Sequence, residues 1–217
     1  MNGRKGVLWD MDGTLVDSQE LHWIAWRDTI ANEGIVITHD QFLATFGQRN
    51  DSIIPAWLGS AATAERIEQI GQAKEELYRK LVHQVGITLE PGVAGWLHRL
   101  QKDGWQQAVA SAAPRANIDA VLAALSLKDL FQGIISAEDV HRGKPDPEVY
   151  LLAASGLGVP AERCIVVEDA GAGIEGARRA GMRSIGISNN AKNLRADVVV
   201  DSLALLEVDA FDRLLNQ

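Results

Sequence analysis

The chain has 217 residues, 47% apolar and 23% charged, which excludes a disordered chain and bounds the fold at one large domain or a core with an inserted subdomain. Its formal net charge of -8 at pH 7 argues against nucleic acid as a partner, so an anionic ligand must be met by local cations. No apolar run reaches membrane-spanning length and no basic-then-apolar signal pattern opens the chain, so a cytoplasmic monomer without membrane partners is expected.

Taken in order, the chain opens with a short apolar run, Val7–Trp9, that reads as a buried strand. It delivers Asp10 and Asp12 at its C-terminal end, and Gly13 then permits a sharp turn. Ligands bind at strand C-termini in open α/β sheets. Two acids placed there repel each other unless a cation or a proton separates them. That pattern suits a metal site with one acid as nucleophile and the other as proton carrier. An ordinary polar turn is the alternative reading. A calcium loop fits poorly, because the glycine comes fourth and a strand precedes it.

From Asp17 to about Leu89 there is no convincing strand. Asp17 is positioned to cap a helix over Ser18–Asn32, with Glu20 three residues on. Asp40 is positioned to cap another, and Thr63 to start a long one through Val85. The expectation is a helical cap domain over 17–89, inserted into a core made of 1–16 and 90–217. Glu90-Pro91-Gly92 would mark the return. An insertion at that sheet edge would hang over the site as a lid.

Beyond it, strand candidates alternate with helix candidates. The strands are Gln107–Ala110, Gly133–Ile135, Cys164–Val167, Ser184–Ile187 and Val198–Val200. The helices are Val93–Asp103, Asn117–Leu125, Pro147–Leu157 and Gly173–Ala180. This predicts an α/β fold, a Rossmann-like parallel sheet with helices on both faces. The single cysteine, Cys164, reads as a buried structural thiol and allows no intrachain disulfide.

The later strand ends carry polar groups. Ser111 follows Ala108-Val109-Ala110, and its hydroxyl and the N–H groups of Ala112 and Ala113 are able to bind a phosphate oxygen, although serine is also an ordinary helix cap. Lys144 lies in Lys144-Pro145-Asp146-Pro147, where two prolines stiffen the loop and make it a candidate point charge on phosphate. Glu168-Asp169 ends a second strand, and Asp10 and Asp169 suit magnesium, a hard cation that takes one or two carboxylates. Gly171-x-Gly173-x-x-Gly176 matches a dinucleotide fingerprint, but the preceding acids would repel a pyrophosphate. Close packing of a helix start on the sheet explains the glycines better. The five histidines lack metal-pair spacing and no serine sits in a nucleophile elbow, so a Ser-His-Asp hydrolase is unsupported.

Asp10-x-Asp12-Gly13-Thr14, Ser111, Lys144 and Glu168-Asp169 stand in an order that resembles the haloacid dehalogenase superfamily across essentially the whole chain. The helical insertion after the first motif resembles its β-phosphoglucomutase-like subgroup of phosphatases and mutases. The resemblance implies a nucleophile at Asp10 and a general acid/base at Asp12. Thr14 and Ser111 would bind the phosphoryl group and Lys144 would neutralise it. It implies Mg²⁺ held by Asp10, the Asp12 carbonyl and Asp169, with Glu168 direct or through water. It also implies a cis peptide before Pro145. His22 matches a mutase histidine ten residues after the second aspartate. In Thr45-Phe46-Gly47-Gln48-Arg49 the glycine and an arginine remain, but Phe46 replaces the mutase lysine. Gly47, Arg49, Ala112 and Asn117 complete the expected substrate-binding set. The competing readings are packing for His22, with Trp23 and Trp26, and a solvated helix-end charge for Arg49.

These residues point to a Mg²⁺-dependent phosphatase of small phosphorylated metabolites, sugar phosphates foremost, acting through an aspartyl-phosphate. A protonated Asp12 is expected, to donate to the leaving oxygen. The alternatives are a sugar phosphomutase and a non-catalytic nucleotide-binding or regulatory module.

Overall fold

The computed structural model describes residues 3–188 and 194–216. Strand β1 (Gly6–Trp9) is followed by a two-residue strand β2 (Val16–Asp17) and four helices, α1 (Gln19–Ala31), α2 (His39–Leu43), α3 (Asn50–Leu58) and α4 (Ala64–Val85). Strand β3 (Thr88–Leu89) pairs antiparallel with β2, closing the helical segment at its base. Then come α5 (Val93–Lys102), β4 (Gln106–Ala110), α6 (Arg115–Ala124), β5 (Gly133–Ile135), α7 (Glu148–Leu157), β6 (Cys164–Glu168), α8 (Gly171–Arg179), β7 (Arg183–Ile187), β8 (Val198–Val200) and α9 (Ala210–Leu215).

The large strands form one parallel sheet in the order β5-β4-β1-β6-β7-β8. Both faces are covered, which is why its central strands are apolar at almost every position. Val7 and Trp9 of β1, Val109 of β4 and Ile165 and Val167 of β6 face one core with α5, α6 and α9. Leu8, Ala108, Ala110, Cys164 and Val166 face the other, with α7 and α8. Cys164 is buried there, and burial raises its thiol to about 12.

The central position of β1 fixes the site. From β1 the chain winds outward through β4 and β5, then crosses to β6, so the order reverses beside β1. The register places Trp9 level with Val109 and Val167, and the Asp10 N–H continues the ladder to the Val167 carbonyl at 3.0 Å. Asp10, Ser111 and Glu168 therefore emerge at one edge.

The helical segment starts and ends at that edge. Leu21 and Ala25 of α1 and Tyr78 and Val82 of α4 join the apolar cluster of the sheet. Farther out, Trp26, Ile30, Phe42, Ile53, Ile54 and Ile70 form a separate cluster. Among the described residues no helix is long and apolar enough to cross a membrane.

Several boundaries differ from the sequence reading for local reasons. Asp17 belongs to β2, and Ser18 is the N-cap of α1 but sends its hydroxyl to Asp12 rather than to the helix. Thr38, not Asp40, caps α2, in a reciprocal capping box with Gln41. Thr63 does cap α4, accepting from the Arg66 N–H. Strands β2 and β3 are too short to leave a period in the sequence. Helix α3 contains Pro55, which usually argues against a helix interior. Ile54 of that helix is fully buried in the outer cluster. Ile54→Ala should cost about 2–5 kcal/mol in urea unfolding; a near-neutral result would remove it from the packing.

Candidate active site

Asp10, Glu168 and Asp169 each present a carboxylate oxygen within 4.8 Å of the others. Between them stands one ammonium. Lys144 Nζ donates to Asp10 Oδ1 at 2.5 Å and to Glu168 Oε1 at 2.6 Å. The Lys144–Pro145 peptide is cis. Burial alone would lower the Lys144 pKa, but Asp10 and Glu168 outweigh it and hold the ammonium charged. Burial raises the Asp10 carboxyl well above its ordinary value; Lys144 opposes this, while Glu168 and Asp169 add to it. Asp169 is pushed up to about 7, first by burial and then by Glu168. The cluster is short of positive charge.

The oxygens are aimed by neighbours. Glu168 Oε1 also accepts from the Tyr150 hydroxyl at 3.0 Å, and Oε2 from the Ala170 N–H at 2.8 Å. Asp169 Oδ1 accepts from the Thr14 hydroxyl at 3.2 Å. Two glycines make room: a Cβ on Gly13 would strike the Asp169 carboxylate, and one on Gly173 would strike the Glu168 carboxylate. Gly13 also has a φ of 79°, which disfavours other residues. Gly176 lies against the Tyr150 ring. The glycine pattern after β6 thus serves close helix–sheet packing around Glu168.

Asp12 turns the other way. Its Oδ1 accepts from the Ser18 hydroxyl at 2.6 Å and lies 3.1 Å from His22 Nε2. Lys74 Nζ lies 3.0 Å from His22 Nδ1 and has no acceptor lone pair. Nδ1 must accept, so the ring proton is on Nε2 and points at Asp12. Burial would raise the Asp12 carboxyl, but His22, Ser18 and Lys74 outweigh it and hold it below the usual range. The expectation of a protonated Asp12 is corrected here: these donors favour the ionised form. Oδ2 takes no hydrogen bond among the described residues.

A cavity of about 1260 Å³ opens between this edge and the helices. Asp10, Asp12, His22, Gly47, Arg49, Ser111, Ala112, Asn117, Lys144, Glu168 and Asp169 all line it. Ser111 is buried; its Oγ accepts from the Ala113 N–H at 3.1 Å, and the Ala112 N–H has no partner among the described residues. Thr14, expected on the phosphoryl group, is fully buried behind Asp169 and does not line the cavity. The Asp12 side chain is likewise absent from the acidic cluster.

A family model, haloacid dehalogenase-like hydrolase, matches residues 7–187. The chain belongs to the haloacid dehalogenase-like hydrolases. Hexitol phosphatase A of Escherichia coli is 34% identical over 214 residues, 94% of each chain. The β-phosphoglucomutase structure from Clostridium difficile superposes with a TM-score of 0.89 at 27% identity, covering 98% of this chain and 97% of that one. A structure of CbbY from Rhodobacter sphaeroides with xylulose-(1,5)bisphosphate gives 0.84 at 28%, covering 94% and 96%.

Within this member of the family, Asn50, Lys74, Glu75 and Arg79 on the wall opposite the acids were missed by sequence reading, whereas His22, Arg49 and Asn117 were named by it. Glu75 Oε1 accepts from Lys74 at 2.9 Å and from Asn50 at 2.8 Å. Its Oε2 accepts from Asn117 Nδ2 at 2.5 Å, and Asn117 Oδ1 accepts from Arg79 at 2.8 Å. Asn117 is therefore committed to α4. Arg49 reaches the Ala137 carbonyl at 3.0 Å and pairs with Asp51 at 3.0 Å. His22 is stacked on Tyr78 with ring centres 4.0 Å apart, and Phe46 meets it edge-on at 5.9 Å. The signal for the missed pair was available: Lys74 falls on the i, i+4 stripe Ile70-Lys74-Tyr78-Val82, where a charge is out of place. Gly173→Ala should displace Glu168 and lower turnover at least tenfold, equivalent to about 1.4 kcal/mol; unchanged turnover in a folded variant would refute the contact.

Proposed function

We propose that the protein is a Mg²⁺-dependent phosphatase of small phosphorylated metabolites, sugar phosphates foremost, working through an aspartyl-phosphate on Asp10. The observation that supports this reading best is the division of labour at the edge of β1. Asp10 sits among acids around Lys144, whereas Asp12, two residues on, is gripped by His22 and Ser18. The hexitol phosphatase named above, similar along nearly its whole length, supports the substrate class.

The donor set suits the metal. Asp10, Glu168 and Asp169 offer oxygens only, and their shortage of positive charge is what a hard divalent cation relieves. Asp10, Asp169 and the Asp12 carbonyl would hold it, with Glu168 set back on Lys144 and Tyr150. When bound, Mg²⁺ neutralises and orients phosphoryl oxygens.

The remaining chemistry belongs to the chain. An Asp10 oxygen attacks phosphorus, and the bond from phosphorus to the ester oxygen breaks. Lys144, Ser111 and the Ala112 N–H receive the phosphoryl oxygens. Asp12 gives a proton to the leaving oxygen; the negative charge of the incoming dianion favours its protonated form. Water then attacks phosphorus, Asp12 takes its proton, and Asp10 is released with inorganic phosphate. His22 and Lys74 hold Asp12 in the ionised form that the second half requires. The helices of 17–89 serve as the cap that excludes bulk water.

A phosphomutase is the second reading, favoured by the position of His22. Phe46 weighs against it, since it packs against His22 and Phe42 where a mutase would present a cation. Release of phosphate from a hexose monophosphate should therefore outpace its isomerisation; conversion without release would reverse the ranking.

Asp10→Asn should abolish turnover. Because the folded pKa of Asp10 lies above its unfolded value, its ionised form destabilises the metal-free fold at pH values above the unfolded pKa. The Tm of metal-free Asp10→Asn should accordingly not fall below that of the parent at pH 7. Near-native turnover would discard the covalent mechanism.

Chelation should stop the reaction, and Mg²⁺ should stabilise the chelated protein by about 2.7 kcal/mol at a hundred times Kd. Full activity in excess chelator, with no thermal shift, would remove the metal.

A further inference from the structure

The cavity is anionic well beyond the three clustered acids. Eight carboxylate side chains line it against four lysines and arginines. Lys144 is occupied at the reacting end. The other three cations stand on the helical wall; Lys74 and Arg49 are ion-paired, and Arg79 donates to the neutral Asn117 amide. Lys74 is shared between His22 and Glu75, with its ammonium 5.0 Å from the centre of the Trp26 ring. Arg49 is held by Asp51 and the Ala137 carbonyl, and Arg79 by Asn117. Asp51, Glu68 and Glu138 add further negative charge to the lining.

Glu75 is the centre of this arrangement. It is only 6% exposed, yet three donors on three different elements or loops converge on it: Lys74 from α4, Asn50 from α3 and Asn117 from α6. Burial would raise its pKa, but Lys74, His22 and Asn50 overcome that and keep it ionised. A carboxylate in this state accepts hydrogen bonds from hydroxyl groups and repels phosphate.

Resting on the phosphatase reading of this same site, we propose that Glu75 is a specificity-determining residue that restricts the cavity to monophosphates of uncharged polyhydroxy compounds and rejects bisphosphates. Its charge consumes Lys74, the cation a second phosphoryl group would need, and also faces that group directly. Discrimination by a repulsive element is the general device. The bisphosphate recorded with CbbY is then a poor ligand here.

The test compares phosphate release from a hexitol monophosphate, a ketohexose monophosphate and a ketohexose bisphosphate, with Mg²⁺ present. The parent should favour the monophosphates in kcat/KM by about 100-fold or more. Glu75→Gln, which keeps the side chain's size but removes the charge that pairs Lys74, should shrink that ratio about tenfold, mainly through KM for the bisphosphate. Equal or better use of the bisphosphate by the parent overturns the inference, as does an unchanged ratio in folded Glu75→Gln. Should Glu75→Gln fail to fold, Lys74→Met provides the second variant. It leaves the Glu75 charge without its cation and should widen the ratio; a narrowed or unchanged ratio overturns the inference. If no ester is hydrolysed, an aryl phosphate included, the phosphatase reading fails by itself. Calorimetric titration of Asp10→Asn protein with the same mono- and bisphosphates then decides: tighter monophosphate binding supports Glu75 as the filter, and tighter bisphosphate binding rejects it.

Discussion

One ammonium stands among three carboxylates at the ends of β1 and β6, two of them buried and Asp169 half-buried. Lys144 touches Asp10 and Glu168, and Asp169 accepts from the Thr14 hydroxyl. Like charges this close in a dry pocket are costly unless each is separately braced. The bracing reaches far into the fold. Tyr150 on α7 and the first turn of α8 hold Glu168, Gly173 clears its volume, and Gly13 clears that of Asp169. The sheet register supplies the rest, because it fixes Asp10 level with Glu168.

A second polar chain runs from this edge into the helices: Asp12, His22, Lys74, Glu75, Asn117 and Arg79 in unbroken succession. It leaves the sheet at Asp12 and comes back to it at α6. Its members sit in low dielectric and are each satisfied, so removing any one strands its neighbours. The two acids of the opening motif thus live in different environments despite their spacing. Burial and neighbouring acids push Asp10 up, whereas His22 and Ser18 pull Asp12 down. Environments that separate two carboxyl groups in this way are how acid and base roles are distributed.

The sheet was legible because its strands are buried on both faces, which leaves continuous apolar runs such as Ile165-Val166-Val167. Asp10, Asp12, Glu168 and Asp169 were legible because polar groups at strand ends are conspicuous after apolar runs, and Lys144 because two prolines stiffen its loop. The helical wall was not. Glu75, Asn50 and Asn117 come together only through the packing of α4, α3 and α6, and nothing local in the sequence fixes that. Thr14 shows the converse limit. Its place in the motif suggested substrate, but the turn at Gly13 rotates its hydroxyl onto Asp169.

The apolar packing of the helices divides at Trp26. Below it, Leu21, Ala25, Tyr78 and Val82 are continuous with the cluster under the sheet; above it, Ile30, Phe42, Ile53 and Ile54 belong to a separate cluster with Trp26 and Ile70. The foot of the insert is therefore constrained by the apolar cluster under the sheet, and the tip by its own cluster and by two polar ties, Arg49 to the Ala137 carbonyl and Asn50 to Glu75. Sequence drift has very different consequences on the two sides of that seam. Below it, a change must be matched within the sheet. Above it, the apolar tip tolerates compensating changes within itself, provided that the ties of Arg49 to Ala137 and of Phe46 to His22 are kept.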